Sequence, residues 1–152
     1  MTMTAARPAA SQLAPCSPGH AGYTVGLSCL PPSAALARMA TRTTAQCWGL
    51  PEELTEDLTL IASELVTNAV KHAASSDPEF PARCRLTVER PAPDTVRVEV
   101  LDSYKDRSVK RRAGDSDESG RGLFLVEALA TSWGVTRQTN GKTVWAVLKA
   151  DT

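Results

Sequence analysis

The stretch that decides the fold of this chain is LTLIASELVTNAVKHA, from Leu58 to Ala73. At about 100° per residue, its apolar side chains cover one broad arc of a helix. That arc consists of Leu58, Ile61, Ala62, Leu65, Val66, Ala69, Val70 and Ala73. The pattern predicts an amphipathic helix whose apolar side packs on the core of the domain.

The opposite side of this helix carries Glu64, Asn68 and Lys71, with His72 beside them. Magnesium takes hard oxygen ligands such as carboxylates and carboxamides, and an ammonium group neutralises phosphate charge. The same residue types also make an ordinary solvent-exposed helix face. The helix alone therefore leaves two interpretations open, a metal–phosphate site and a solvated surface.

Composition predicts a soluble single domain. The 152 residues are long enough to bury a core, and the seventeen basic and seventeen acidic residues balance. The balance gives no reason to expect nucleic acid or a membrane surface as a partner, and no apolar run is long enough to span a bilayer.

The first 21 residues are rich in Ala, Pro and Ser and lack the apolar core of a secretory signal. They are predicted to form a disordered leader before a domain at residues 22–150. Cys16, Cys29, Cys47 and Cys84 contain no C-x-x-C pair, so neither a zinc site nor a disulfide framework is indicated. A reduced, cytoplasmic setting is the simplest expectation.

Hydrophobic periodicity and turn residues predict three helices among five strands. The first helix is expected to be capped by Ser33, to end near Trp48 and to bury Ala35, Leu36, Met39, Ala40 and Cys47. The central helix ends near Ala74, and the third runs from Leu123 to about Ser132. The strands are expected at Tyr23–Leu30, Arg83–Arg90, Thr95–Leu101, Gly134–Gln138 and Lys142–Leu148.

The order of these elements predicts an α+β two-layer sandwich. Its sheet would be mixed, mostly antiparallel, and covered by helices on one face. Residues 103–119 contain too few apolar side chains to pack as a regular element, and a loop of that length is usually functional or disordered. They are predicted to form a lid. Its basic residues fit either a solvated loop or a clamp on phosphate or an acidic partner.

Three further features could belong to a site with the central helix. Asp102 follows a strand, where a carboxylate can accept hydrogen bonds from an exocyclic amine; Asp is also common where strands stop. Gly120-Arg121-Gly122-Leu123 opens a helix, whose N–H groups attract phosphate, although glycines also end long loops. Thr143 can complete a polar pocket for a base, or can simply be a good strand former.

The order and spacing of these features resemble the Bergerat ATP-binding fold, the GHKL superfamily. The stretches SELVTNAVKHA, GRGLFLVEALA and GKTVWAVL are most similar to bacterial anti-sigma-factor serine kinases and their single-domain relatives. The resemblance covers about residues 23–148. It implies an ATP- and magnesium-dependent serine/threonine protein kinase that phosphorylates an antagonist protein and regulates transcription by partner switching.

The resemblance also implies roles for individual residues. Asn68 would bind magnesium, Glu64 would act as general base, and Asp102 would bind the adenine amine with help from Thr143. Phosphate contacts would come from Lys71, His72, Gly120, Arg121, Gly122 and Leu123. The implied partners are a sigma factor and an anti-anti-sigma protein carrying the phosphoacceptor serine, and the implied assembly is a homodimer.

One residue departs from the family pattern, in which Gly or a small Ser usually stands two positions after the adenine-binding Asp. Here that position is Tyr104. Its ring could fill the adenine pocket or swing outward and stack over it. An alternative function is therefore a catalytically inactive module of the same fold that acts by binding alone. A sensor histidine kinase fragment is a weaker alternative, because no dimerising helix with a phosphoacceptor His precedes the domain.

Overall fold

The computed structural model describes residues 16–17, 20–72, 82–103, 123–139 and 141–150. These residues form a six-stranded sheet in the order β1-β2-β3-β4-β6-β5, in which every described pairing is antiparallel. The strands are β1 (Cys16–Ser17), β2 (His20–Ser28), β3 (Arg83–Ala92), β4 (Thr95–Ser103), β5 (Ser132–Gln138) and β6 (Gly141–Lys149). The helices are α1 (Pro32–Cys47), α2 (Glu52–His72) and α3 (123–129).

The core lies between α2 and one face of the sheet. Alternate residues of the central strands are fully or almost fully buried, for example Val96, Val98 and Val100 on β4. Because successive strand side chains point to opposite faces, this alternation identifies the face that the helices cover. Helix α2 contacts β3, β4 and β6, and α1 packs against α2. The α+β sandwich predicted from the sequence is confirmed.

The central helix buries the predicted arc as far as Val70, and Ala73 lies outside the described residues. Its apolar residues from Leu58 to Ala69 belong to one cluster with the sheet, and Val70 packs against that cluster. Leu60, which the periodicity leaves outside the arc, is exposed. Small polar residues of α2 are buried as well, and the Thr59 hydroxyl donates to the Thr55 carbonyl at 2.7 Å. This hydrogen bond within the helix satisfies the buried Thr59 hydroxyl.

The orientation expected for α1 is wrong. Leu36 and Met39 are exposed, and the buried stripe consists of Ser33, Ala37, Thr41 and Ala45. These residues lie four positions apart and therefore on one side of the helix. Their side chains are small, which allows α1 to approach α2 closely. Ser33 also lies inside the helix instead of capping it, and its hydroxyl donates to the Ser28 carbonyl at 2.6 Å.

Some boundaries also differ from the prediction. The sheet begins before residue 22, because His20 and Ala21 start β2 and pair with Ser17 and Cys16. The leader prediction is therefore wrong for these residues, and residues 1–15 lie outside the described part of the chain. Helix α3 ends at residue 129, and β5 begins at Ser132, which was expected in the helix. No helix in the described ranges combines the length and apolarity needed to cross a membrane.

Gly49 closes α1 in the left-handed region, with φ of 72°. A Cβ added there would meet no atom within 4 Å, so an alanine would suffer from backbone strain alone. We expect Gly49→Ala to lower the free energy of unfolding by about 1 kcal/mol. Urea denaturation checks this, with Gly49→Asn as the control, because Asn tolerates this conformation better. An equal loss in both variants would contradict the backbone explanation.

Candidate active site

Three titratable side chains lie in one row on the helix-covered face of the sheet, namely those of Cys84, Asp102 and Lys142. The strand register pairs Cys84 with Asp102 across β3 and β4, and Asp102 with Lys142 across β4 and β6. Asp102 is 4% exposed and Lys142 is 7% exposed. A buried carboxylate and a buried ammonium on adjacent strands attract each other and create a polar patch at the edge of an otherwise apolar core.

A pair of buried thiols continues this row. Cys84 donates a hydrogen bond to Cys29, and this bond, together with burial, raises the pKa of the Cys84 thiol. Accepting the same bond lowers the pKa of Cys29, while the negative charge of Asp102 acts in the opposite direction. Both thiols are free cysteines. The Asp102 carboxylate therefore has the thiols on one side and Lys142 on the other.

The C-terminal end of α2 faces this row. The Nδ1 atom of His72 lies 2.9 Å from the carbonyl oxygen of Asn68. The Lys142 ammonium nitrogen lies 3.1 Å from Nε2 and 3.5 Å from Nδ1 of His72, so it contacts the ring and not one nitrogen alone. Because a carbonyl oxygen can only accept, we assign a proton of His72 to Nδ1. His72 thus joins the main chain of α2 at Asn68 to β6 at Lys142.

The remaining predicted residues of α2 are placed as follows. Asn68 is 7% exposed, which makes it part of the interface with the sheet and not of a solvated surface. Glu64 lies one turn earlier and is partly exposed, and Lys71 is exposed. A partly exposed carboxylate one turn from a buried carboxamide can reach a ligand at the rim of the site while the amide reaches it from within.

Thr143 does not lie with Asp102. The register pairs Thr143 with Leu101 on β4 and with Thr136 on β5. Because side chains alternate along a strand, this places Thr143 on the face opposite to Asp102. The prediction that Thr143 assists Asp102 is therefore contradicted, and Lys142 is the β6 residue beside the carboxylate.

Lys142 is the site residue that the sequence prediction missed. A lysine in a strand next to a turn is usually solvated, and its single charge gives no indication of burial. The apolar alternation of Val144, Ala146 and Leu148 does point to Lys142, since all four share one face. This alternation is the sequence feature that indicates burial of Lys142.

Part of the predicted site lies outside the described residues. This applies to Gly120, Arg121 and Gly122, to Tyr104, and to the lid apart from Ser103, which ends β4. Leu123, the last residue of the Gly-Arg-Gly-Leu motif, is described and is buried in the core at the start of α3.

The residues present fit the phosphate and metal end of a magnesium nucleotide. Asn68 offers a hard oxygen atom, and Lys71 offers positive charge. Across the described ranges, no three His, Cys, Asp or Glu side chains form a group that could hold a metal ion. Magnesium would therefore take few protein ligands here and would depend on the phosphates for the others.

Comparison with known proteins agrees with this fold. The model of the histidine kinase-like ATPase domain matches residues 27–148. A solved structure, the RsbU and RsbW domains of Rv1364c from Mycobacterium tuberculosis, matches with a TM-score of 0.64 and 18% identity over 84% of this chain. The match spans 31% of that solved chain, and its low identity supports the shared fold alone. No curated protein sequence matches.

The match over residues 27–148 includes α2, Asp102 and strands β3 to β6, with β6 included as far as Leu148. The chain belongs to the histidine kinase-like ATPase domain family, and its fold is the GHKL fold.

Proposed function

We propose that this protein is an ATP-binding serine/threonine protein kinase of the anti-sigma-factor type. The observation that carries the proposal is the position of Glu64 and the buried Asn68 on one helix, α2, which packs on β4 where Asp102 lies. The arrangement supports the proposal because the candidate general base, metal ligand and adenine-binding carboxylate lie on two elements that pack together.

Each residue then has one task. Asp102 accepts hydrogen bonds from the adenine amine, Asn68 holds magnesium against the phosphates, and Lys71 and His72 lie near the phosphate charge. Glu64 takes the proton from the serine hydroxyl of the partner protein. The serine oxygen forms a bond to the γ-phosphorus as the bond from that phosphorus to the ADP oxygen breaks, which yields phosphoserine and ADP.

The biological setting belongs to the same proposal and rests on the sequence resemblance. The acceptor would be an anti-anti-sigma protein with a phosphorylatable serine, the regulated partner a sigma factor, and the working form a cytoplasmic homodimer. The balanced net charge supports protein partners over direct contact with nucleic acid.

Magnesium dependence provides the test of this proposal. We expect calorimetric titration to show ATP binding that is tighter with magnesium than with EDTA. Asn68→Ala should weaken binding in magnesium by roughly 10- to 100-fold, since loss of a group that supports a metal has effects of that size. Thr67→Ala, at the neighbouring position of α2, is the matched control and should bind as the parent does.

Two results would count against the kinase. Equal affinity with and without magnesium would exclude Asn68 as a metal ligand. The absence of nucleotide binding would exclude ATP as the ligand of this protein. The second result would favour the other candidate function, a binding module of the same fold that regulates a partner without phosphoryl transfer. One observation supports that candidate, namely the buried charge of Lys142 beside Asp102.

A further inference from the structure

Lys142 crosses the space in which the proposed site would hold a base. Its backbone lies on β6 directly opposite Asp102, and its ammonium nitrogen ends 3.1 Å from Nε2 of His72 on α2. The side chain therefore extends from the sheet to the helix beside the carboxylate. Asp102 and His72 are the two residues that the proposed function places at the base and near the phosphates.

The surroundings of Lys142 hold the side chain in this position. A lysine that is 7% exposed has left bulk water, so its charge needs nearby acceptors and a nearby negative charge. The imidazole ring of His72 lies against the ammonium, and the carboxylate of Asp102 lies on the neighbouring strand and on the same face. Moving the ammonium away from these partners would strongly destabilise the folded protein unless other groups took their place.

We propose that Lys142 is a specificity-determining residue that competes with the base of the nucleotide for Asp102 and for the space beneath α2. This inference rests on the proposed ATP site. A neutral exocyclic amine attracts a carboxylate less strongly than a full positive charge does. The hydrogen bond from the nucleotide base to Asp102 therefore contributes less to binding while Lys142 is present. Lys142 thereby lowers the affinity for adenine nucleotides, because its side chain occupies part of the space that the base would take.

Two substitutions separate the effects of charge and volume. Lys142→Ala removes both, whereas Lys142→Met removes the charge and leaves a side chain of similar length. We expect calorimetric titration with magnesium-ATP to show at least a tenfold gain in affinity for Lys142→Ala and a smaller gain for Lys142→Met. Lys149→Ala, at the exposed end of the same strand, is the matched control and should leave the affinity unchanged.

A measurement without nucleotide tests the contact itself. The chain has two histidines, so His20→Gln leaves His72 as the single source of imidazole nitrogen signals in ¹⁵N NMR. The parent should show a proton on Nδ1, and its Nε2 shift should reflect the ammonium that lies against the ring. In Lys142→Ala the Nε2 shift should change, and in Lys149→Ala it should not. An Nε2 shift that is the same in all three proteins would overturn the proposal.

The outcomes of the titration are distinct. If the parent binds ATP and Lys142→Ala binds it equally or more weakly, the role of Lys142 is wrong and the ATP site stands. If the gain appears in Lys142→Ala and not in Lys149→Ala, the proposal is supported. If no variant binds ATP while circular dichroism shows each to be folded, the proposed function fails, and the role of Lys142 fails with it.

Discussion

Replacing Glu64 with alanine is expected to leave ATP affinity nearly unchanged and to slow catalysis by roughly 100- to 10,000-fold. The separation follows from geometry, since Glu64 is partly exposed and one turn from the buried Asn68. In the proposed mechanism, this carboxylate meets the attacking hydroxyl and not the nucleotide. General-base catalysis contributes a factor of this size in enzymes. The measurement is steady-state ADP release with magnesium-ATP, in which water replaces the serine hydroxyl, together with a calorimetric affinity.

The matched control for this experiment is Glu56→Ala, because Glu56 is an exposed carboxylate on the same helix, eight positions earlier. It should release ADP at the parent rate. Glu64→Gln keeps the shape of the side chain and loses the base, so it should be as slow as Glu64→Ala. Full ADP release by Glu64→Ala would exclude Glu64 as the base.

Leu58→Ala is expected to be the most destabilising simple substitution on the central helix. Leu58 is 0% exposed and lies in the core cluster between α2 and the sheet. Truncating a buried leucine removes apolar contacts and leaves a cavity, which together lower the free energy of unfolding by about 2–5 kcal/mol. Urea denaturation, analysed for both midpoint and slope, gives this quantity.

Leu60→Ala supplies a control with the same chemistry on the same helix. Leu60 is 43% exposed, so its truncation should change the free energy of unfolding by no more than about 0.5 kcal/mol. Similar losses for the two variants would mean that α2 presents a different face to the sheet. The comparison therefore tests the helix orientation on which the positions of Glu64 and Asn68 depend.

The architecture and the central helix could be predicted from the sequence because their patterns are local. The apolar arc of α2 repeats with the helical period, and its residues from Leu58 to Ala69 are buried as expected. The strands expected at Gly134–Gln138 and Lys142–Leu148 also form, as β5 and β6, and the register pairs Gln138 with Gly141. In each case the side chains that determine the structure are close together in the chain.

Helix α1 shows where local patterns fail. Its large apolar residues Leu36 and Met39 suggest one buried face, and the structure buries the small residues Ala37 and Thr41 instead. Which face is buried depends on how closely α2 approaches, and that distance is set by residues on another element. Periodicity within α1 contains no information about its neighbour.

The candidate site also has residues that the sequence could predict and residues that only the structure brought together. Glu64, Asn68, His72 and Asp102 could be proposed from the combined order of their motifs and the family resemblance, and not from any one motif alone. Only the tertiary structure decided between Thr143 and Lys142, because a shift of one residue in the pairing of β6 with β4 moves every side chain to the other face. The register pairs Asp102 with Lys142, and this brings the ammonium to His72, 70 positions away in the chain. The sequence determined which polar residues were available, and strand register decided which of them meet.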